Sequence, residues 1–411
     1  MGQDEIASLH TEVDKLREQS DLEQSEIAIH EQAKVETQSK FPLKLTGLIL
    51  MNTFANTSGV DSAQSPALAT GGNGATGFSL RQTVLGLDAR GPRVFGASSA
   101  ADVRIDFFGG AGQSGYANGG GFARLRTAHA EMEWNHTRAF VEMDRPIVNP
   151  NAPTSLTAIA QPALAWSGNL WNWVPQAGAE HSFPLPGESR FKVQAAIADI
   201  PDPASPSSSP SSLPGTSLAE NSRWPGEEAR FAYARGDESD DLEFGVGGYF
   251  SPHSQQGINF DAWAATIDLR IPLSPRLVAS GSFYRGAGLG GLGGGALKDY
   301  VYRSQREYDS FLPLDDVGGW TQLKARASQR LEFNAAYGID NLFAGQLRPY
   351  LPINPTSYQN LARNSTVYTN AIFSPTAYTL FSFEFRRIDS SPALGRHSIA
   401  DVFGVAAGYR F

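Results

Sequence analysis

The last ten residues, Val402 to Phe411, alternate strictly. Phe411, Tyr409, Ala407, Val405 and Phe403 share one face, and Arg410, Gly408, Ala406, Gly404 and Val402 share the other. Period-two alternation is the mark of a strand with one apolar face. This strand stops on an aromatic, with no polar tail to solvate an open edge. A bare apolar edge templates aggregation. Closing the sheet removes the edge, because the last strand then pairs with the first.

The rest of the chain narrows that closed sheet to one that crosses a membrane. Among 411 residues no apolar run reaches the roughly twenty that a membrane helix needs. The longest candidate, Leu43 to Met51, is interrupted by Lys44, Thr46 and Gly47. If this chain enters a bilayer, it does so as a β-barrel. Glycine at 42 residues and aromatics at 11% suit many strands and turns. Cysteine is absent, which removes disulfides, thiolate metal sites and cysteine nucleophiles. The net charge of −9 and the lack of a basic block argue against nucleic acid. The opening Met-Gly-Gln-Asp-Glu has no basic or apolar leader region, so the numbering is expected to start near a mature end with an added Met.

Residues 1–40 hold ten acids and four bases, hence six of the nine net negative charges. Ile6, Leu9, Val13 and Leu16 fall at heptad spacing, while Ser20 and Glu23 occupy the next slots. The seam is therefore clean for about two heptads and then slips. A lone helix this poor in apolar residues is marginal in water. The expectation is an α-helical coiled-coil segment, most simply a parallel trimer, closed by Pro42.

Beyond it the period becomes two, and sixteen strands are expected. They span 43–54, 78–90, 99–108, 124–134, 138–144, 176–183, 189–198, 228–235, 241–250, 259–271, 276–285, 318–326, 331–338, 365–373 and 378–386, then the terminal strand. Turns near 92, 136, 186, 238, 273, 328 and 375 are short, whereas the connections at 55–77, 109–123, 146–175, 199–226, 251–258, 286–316, 339–364 and 387–396 are mostly long. Short turns at one end and long loops at the other are the outer-membrane barrel pattern. That places both termini and the helix in the periplasm. Residues 1–40 thus form one unit and 41–411 an all-β transmembrane barrel. Surrounding lipid or lipopolysaccharide and the barrel-assembly machinery are its expected partners, the latter through the terminal signal of Tyr409 and Phe411.

The connection 146–175 is too long for a simple cap and is expected to fold inward. Its Trp166, Trp171 and Trp173 are read as packing or girdle aromatics, with sugar stacking as the alternative. Alternation sends Arg104, Arg138, Arg190, Lys192, Arg230, Arg270, Lys324, Arg326 and Arg386 to the lumen, with Asp102, Asp106 and Glu142 among the inward acids. Near parity of sign leaves segregation as the deciding matter. A basic ladder facing an acidic wall would set up a transverse field that orders polar solutes. Arg81 can be read in either register. His129, Glu131 and Glu133 share a face, as all inward residues of a strand do, so no metal and no cofactor are expected. No Gly-x-Ser-x-Gly, His-Glu-x-x-His or Walker pattern occurs, so an enzyme is not expected.

Ser79-Leu-Arg-Gln-Thr-Val-Leu-Gly-Leu-Asp-Ala-Arg-Gly-Pro92, Leu331-Glu-Phe-Asn-Ala-Ala-Tyr-Gly-Ile-Asp-Asn341 and the terminal strand resemble the DcaP-like porins of Gram-negative outer membranes. The resemblance implies a homotrimer with a periplasmic coiled coil and passive diffusion of small anionic or dicarboxylate solutes. The balanced lumen charge departs from a clear anion channel. Two other readings stay open here: a sugar-specific porin, and a barrel-anchored structural or adhesion protein whose helix grips peptidoglycan or a periplasmic protein.

Overall fold

The computed structural model describes residues 34–35, 42–109, 121–203, 215–236, 241–304 and 309–411. Apart from a two-residue bridge, Lys34–Val35, paired to Leu43 and Lys44, the expected helix over 1–40 lies outside them.

The chain forms a closed antiparallel barrel of sixteen strands. They are β1 (Leu43–Val60), β2 in two pieces (Ala69–Ser79 and Val84–Arg90), β3 (Ser98–Asp106), β4 (Arg124–Glu133) and β5 (Thr137–Asp144). Next come β6 (Val174–Leu185), β7 (Ser189–Ala198), β8 (Gly226–Arg235), β9 (Leu242–Gln255), β10 (Ile258–Ser274) and β11 (Leu277–Ala287). The last five are β12 (Asp315–Arg326), β13 (Leu331–Leu342), β14 (Leu361–Phe373), β15 (Thr379–Pro392) and β16 (Ser398–Arg410). Every strand pairs with its sequence neighbours, and β16 closes on β1 from Leu48↔Arg410 to Asn56↔Val402. Phe411 seals the seam by exchanging backbone hydrogen bonds with Gly47 at 2.9 and 3.0 Å. Closure leaves no backbone edge to satisfy in hydrocarbon.

Side chains obey the alternation. Along β15, Leu380, Ser382, Glu384, Arg386 and Ile388 are buried while Phe381 and Phe383 are exposed. Phe244, Phe283, Phe333, Phe373 and Phe403 extend the same outward apolar surface. Tyr409 points outward too and stacks on Tyr378, with ring centroids 5.9 Å apart.

Several strands outrun their expected lengths. The connection 55–77 shrinks to 61–68, because Ala69-Thr-Gly-Gly-Asn-Gly-Ala-Thr joins the ladder despite a loop-like composition. Gly74 permits this, since a Cβ there would sit 1.9 Å from the Asn56 carbonyl oxygen. The connection 251–258 becomes a tight turn at Gln256 and Gly257, with φ of 53° and 79°. Pairing with a neighbour overrides local propensity in both places.

The apolar core lies inside the long-loop end of the cylinder. Trp166, Trp171, Leu297, Leu314, Leu342 and Leu347 form one cluster, and Val148, Leu170, Val174, Ile200, Leu289 and Leu292 form another. Both mix strand and loop residues. The glycine-rich stretch 286–295 is one wall of this core, and a two-stranded hairpin, Tyr300–Ser304 with Asp309–Pro313, follows it.

Candidate functional site

The connection between β5 and β6, residues 145–173, runs along the inner wall and bonds to strand after strand. Thr266 on β10 donates to the Val148 carbonyl at 2.9 Å. The Thr154 amide donates to Gln322 on β12 at 2.6 Å, and Tyr368 on β14 donates to the Thr154 carbonyl at 3.0 Å. Ser155 and Thr157 donate to Glu384 on β15 at 2.6 and 2.7 Å. Asn52 on β1 then donates to the Leu156 carbonyl at 3.0 Å. Gln82, in the gap that splits β2, donates to the Thr157 carbonyl at 2.9 Å and accepts from the Ile159 amide at 2.7 Å. The segment doubles back at Gly168, whose φ is 87°. Any Cβ there would meet the Gly319 and Ile339 carbonyl oxygens at 2.1 and 2.5 Å.

Trp166, Trp171 and Trp173 are 3, 5 and 8 % exposed. They pack edge to face, with successive centroids 5.7 and 5.5 Å apart. Trp173 carries two guanidinium groups, Arg126 at 4.9 Å and Arg124 at 5.3 Å from its centroid. Arg81 lies 4.3 Å from the centroid of Phe108, which Arg124 also approaches at 6.0 Å. Arg145 donates to the Asn151 carbonyl at 2.9 Å, and burial pulls its guanidinium below the ordinary arginine range. Two carboxylates share this space. Asp106 takes a fork from Arg124 at 2.8 and 3.0 Å, and Asp144 accepts from His129 at 3.0 Å. Arg126 Nη1 is buried with no protein partner. Four arginines against two carboxylates make a cationic cluster at the loop's contact with β2, β4 and β5.

Strict alternation in β4 would put Arg124 and Arg126 outside, with Ala128 and Ala130. The pairing of Arg104 with Thr127 and Ile105 with Leu125 leaves Arg126 as an extra, bulged residue. A bulge re-aims side chains, and this one turns both arginines inward while Leu125 faces out. The clue was in the sequence: two arginines in phase with an apolar face are too costly in hydrocarbon to stay there.

The expected lumen residues are placed as a paired wall. Arg230, 1 % exposed, donates to Asp268 at 2.7 and 2.8 Å, to Glu243 at 2.7 Å and to Gln194 at 2.7 Å. Lys192 and Arg270 also reach Glu243, both at 3.1 Å. Arg138 is shared by Glu131 at 2.6 Å and Glu142 at 2.9 Å. Arg104 pairs with Asp88 at 2.5 Å and Asp102 at 3.4 Å, and Asp102 accepts from His129 at 3.1 Å. Arg386 binds Glu384 at 2.5 Å and the Pro66 carbonyl at 3.0 Å. Arg190 donates to the Gly236 carbonyl at 2.7 Å, and Lys324 and Arg326 are likewise engaged near the short-turn end. Acids and bases interleave on neighbouring strands, because each buried charge needs a counter-charge within bonding reach. Among the described residues, no group of three potential ligands converges on a metal position.

No family model and no curated protein matches the sequence. The outer-membrane channel DcaP of Acinetobacter baumannii is similar at a TM-score of 0.67 and 15% identity, covering 92% of this chain and 100% of that one. An anion-selective porin from Comamonas acidovorans is similar at 0.56 and 10% identity, covering 90% and 100%. OprB of Pseudomonas putida is similar at 0.50 and 11% identity, covering 90% and 94%. The fold of this chain is that of the sixteen-stranded outer-membrane porins.

Proposed function

We propose that the chain is an outer-membrane porin for passive diffusion of small polar solutes, with a preference for anions and dicarboxylates as the favoured class. The observation that carries this reading is the cluster of Arg81, Arg124, Arg126 and Arg145 beside the inward loop. The neighbouring wall charges are paired, Arg138 with Glu131 and Glu142 and Arg104 with Asp88 and Asp102, so these four arginines set the sign of the local field. Arg126 has a buried nitrogen that a carboxylate oxygen would satisfy. The loop narrows the lumen beside it and forces passing solutes close. Similarity in fold to a porin described as anion-selective agrees with this reading. A sugar slide is less well supported, since all three indoles are buried, packed edge to face, and Trp173 is covered by two guanidinium groups.

The test is a planar bilayer with unequal KCl on the two sides. The zero-current potential takes the sign of chloride preference, and a dicarboxylate such as succinate reduces the chloride current. A barrel with no open steps ends the porin reading, and a potassium-signed potential ends the anion reading.

The native assembly is proposed to be a trimer. One outward row across β5 to β10 reads Ala139, Ala179, Ala195, Ala229, Gly248 and Ala265, paired in that order. Larger outward side chains, Phe231 and Phe250 among them, stand on either side of this row of small residues. Small residues let two backbones approach closely in a membrane.

A further inference from the structure

Beyond β10, next to the alanine row and continuous with it through the pairing of Ala265 with Arg285, the outward surface is cut by a groove of about 390 Å³ that runs down β12. Phe283 and Tyr337 stand on either side, 48 and 46 % exposed. Gly318 and Gly319 form its floor, where Thr321 and Val317 complete an apolar slot. At the long-loop end one cross-strand row reads Arg285, Val317, Asn341, Arg363. An arginine therefore stands at each end of that row. Arg285 is held by Asp315 at 2.8 Å and lies 4.7 Å from the centroid of Phe343. Arg363 is exposed and donates to a neutral hydroxyl, Ser391 Oγ, at 3.0 Å.

An apolar slot capped by cationic side chains is complementary to an anionic lipid, with its chain in the slot and its phosphate at the guanidinium. The capped end is the long-loop end, which faces the outer leaflet in an outer-membrane barrel. We infer that the β11–β14 groove is a binding site for the phosphorylated, acylated lipid A portion of lipopolysaccharide, with Arg363 as its phosphate ligand. Arg285, already paired with Asp315, steers the headgroup over Val317 and Asn341. The site is on the outside of the wall, and it holds whether or not the lumen prefers anions.

The full chain in detergent is titrated with lipid A, with lipid A stripped of its phosphates, and with phosphatidylglycerol, and bound lipid is read by native mass spectrometry. Lipid A is expected to bind about tenfold more tightly than the dephosphorylated form. Arg363→Gln abolishes that difference, and Val317→Trp, which fills the slot from an exposed position, weakens both forms. Both variants keep the wild-type single-channel conductance, which shows that they fold. Equal binding of the two lipid A forms, no effect of either variant, or tighter binding of phosphatidylglycerol overturns the assignment.

Discussion

The guanidinium of Arg126 lies 4.9 Å from the ring centroid of Trp173, joining a bulge in β4 to the end of the inward loop. The stack is worth about 0.5–2 kcal/mol, more as it is better shielded from water. Its larger effect is positional, since it fixes a buried cation whose Nη1 has no protein partner. Arg126→Gln is expected to move the zero-current potential toward zero while leaving the denaturation midpoint nearly unchanged. Arg126→Lys keeps the charge but not the planar stack, and should retain the sign of the potential with weaker succinate block.

Arg230 should behave in the opposite way. It is 1 % exposed and bound to Asp268 and Glu243. Arg230→Ala strands the buried carboxylate of Asp268, while Glu243 keeps Lys192 and Arg270, at a cost of about 3–5 kcal/mol. The expected result is a large drop in the guanidinium midpoint with ion selectivity preserved in whatever fraction folds. A midpoint equal to that of the wild type would show that water reaches the Asp268 carboxylate.

Glu384 anchors the inward loop. Ser155, Thr157, Asn370 and Arg386 all donate to it, at 2.6, 2.7, 3.1 and 2.5 Å. Glu384→Gln keeps the volume but removes the charge that strengthens those bonds. Open-channel noise and mean conductance should both rise as residues 155–157 lift off the wall. Unchanged traces would mean that Gln82 and Gln322 suffice to hold the loop.

Most of the barrel was legible before any coordinates, because period-two alternation is a local property and turn residues punctuate it. Sixteen strands and the closure through β16 follow from that alone. What was not legible depends on partners. The extension of β1 to Val60 rests on a glycine-rich strand that only pairing reveals. The gap in β2 at 80–83 let Arg81 escape assignment, and the single extra residue at Arg126 reversed the phase of Arg124. Arg145 sits in a loop, where alternation says nothing. The charge pairs were invisible as pairs, since Arg230 and Asp268 are 38 residues apart.

The loop between β11 and β12 should respond to pH. Burial raises Asp299 to about 7 and lowers Lys298 to about 7. The charged groups facing them are Asp202 and Asp340, with Lys298 donating to the Ala296 and Leu361 carbonyls at 2.8 and 2.9 Å. For Asp299 the folded state binds the extra proton between the ordinary carboxyl value and about 7, so seating strengthens as pH falls through 7. For Lys298 the displaced state binds the extra proton between about 7 and 10.5, so seating strengthens as pH rises through 7. The loop is thus least firmly seated near neutrality. Thermal midpoints from pH 4 to 10 should pass through a minimum there. Asp299→Asn should flatten the acid limb, and Lys298→Met the alkaline limb.

The proposed trimer separates two causes of assembly that act at different places. Residues 1–40 carry a heptad seam, and the row from Ala139 to Ala265 offers a strip of small outward residues. Ala195 is central in that row and paired with Ala179 and Ala229. A tryptophan there would hold two backbones apart without entering the barrel. Ala195→Trp is therefore expected to give monomers in mild detergent with single-barrel conductance intact. Deleting 1–40 should slow assembly but leave trimers once formed, if the outer face supplies most of the contact. Monomers from the deletion together with trimers from Ala195→Trp would assign the assembly to residues 1–40 instead. Cysteines placed at Ala139 and Ala229 should cross-link between copies only in the first case, and the absence of native cysteine makes that readout clean.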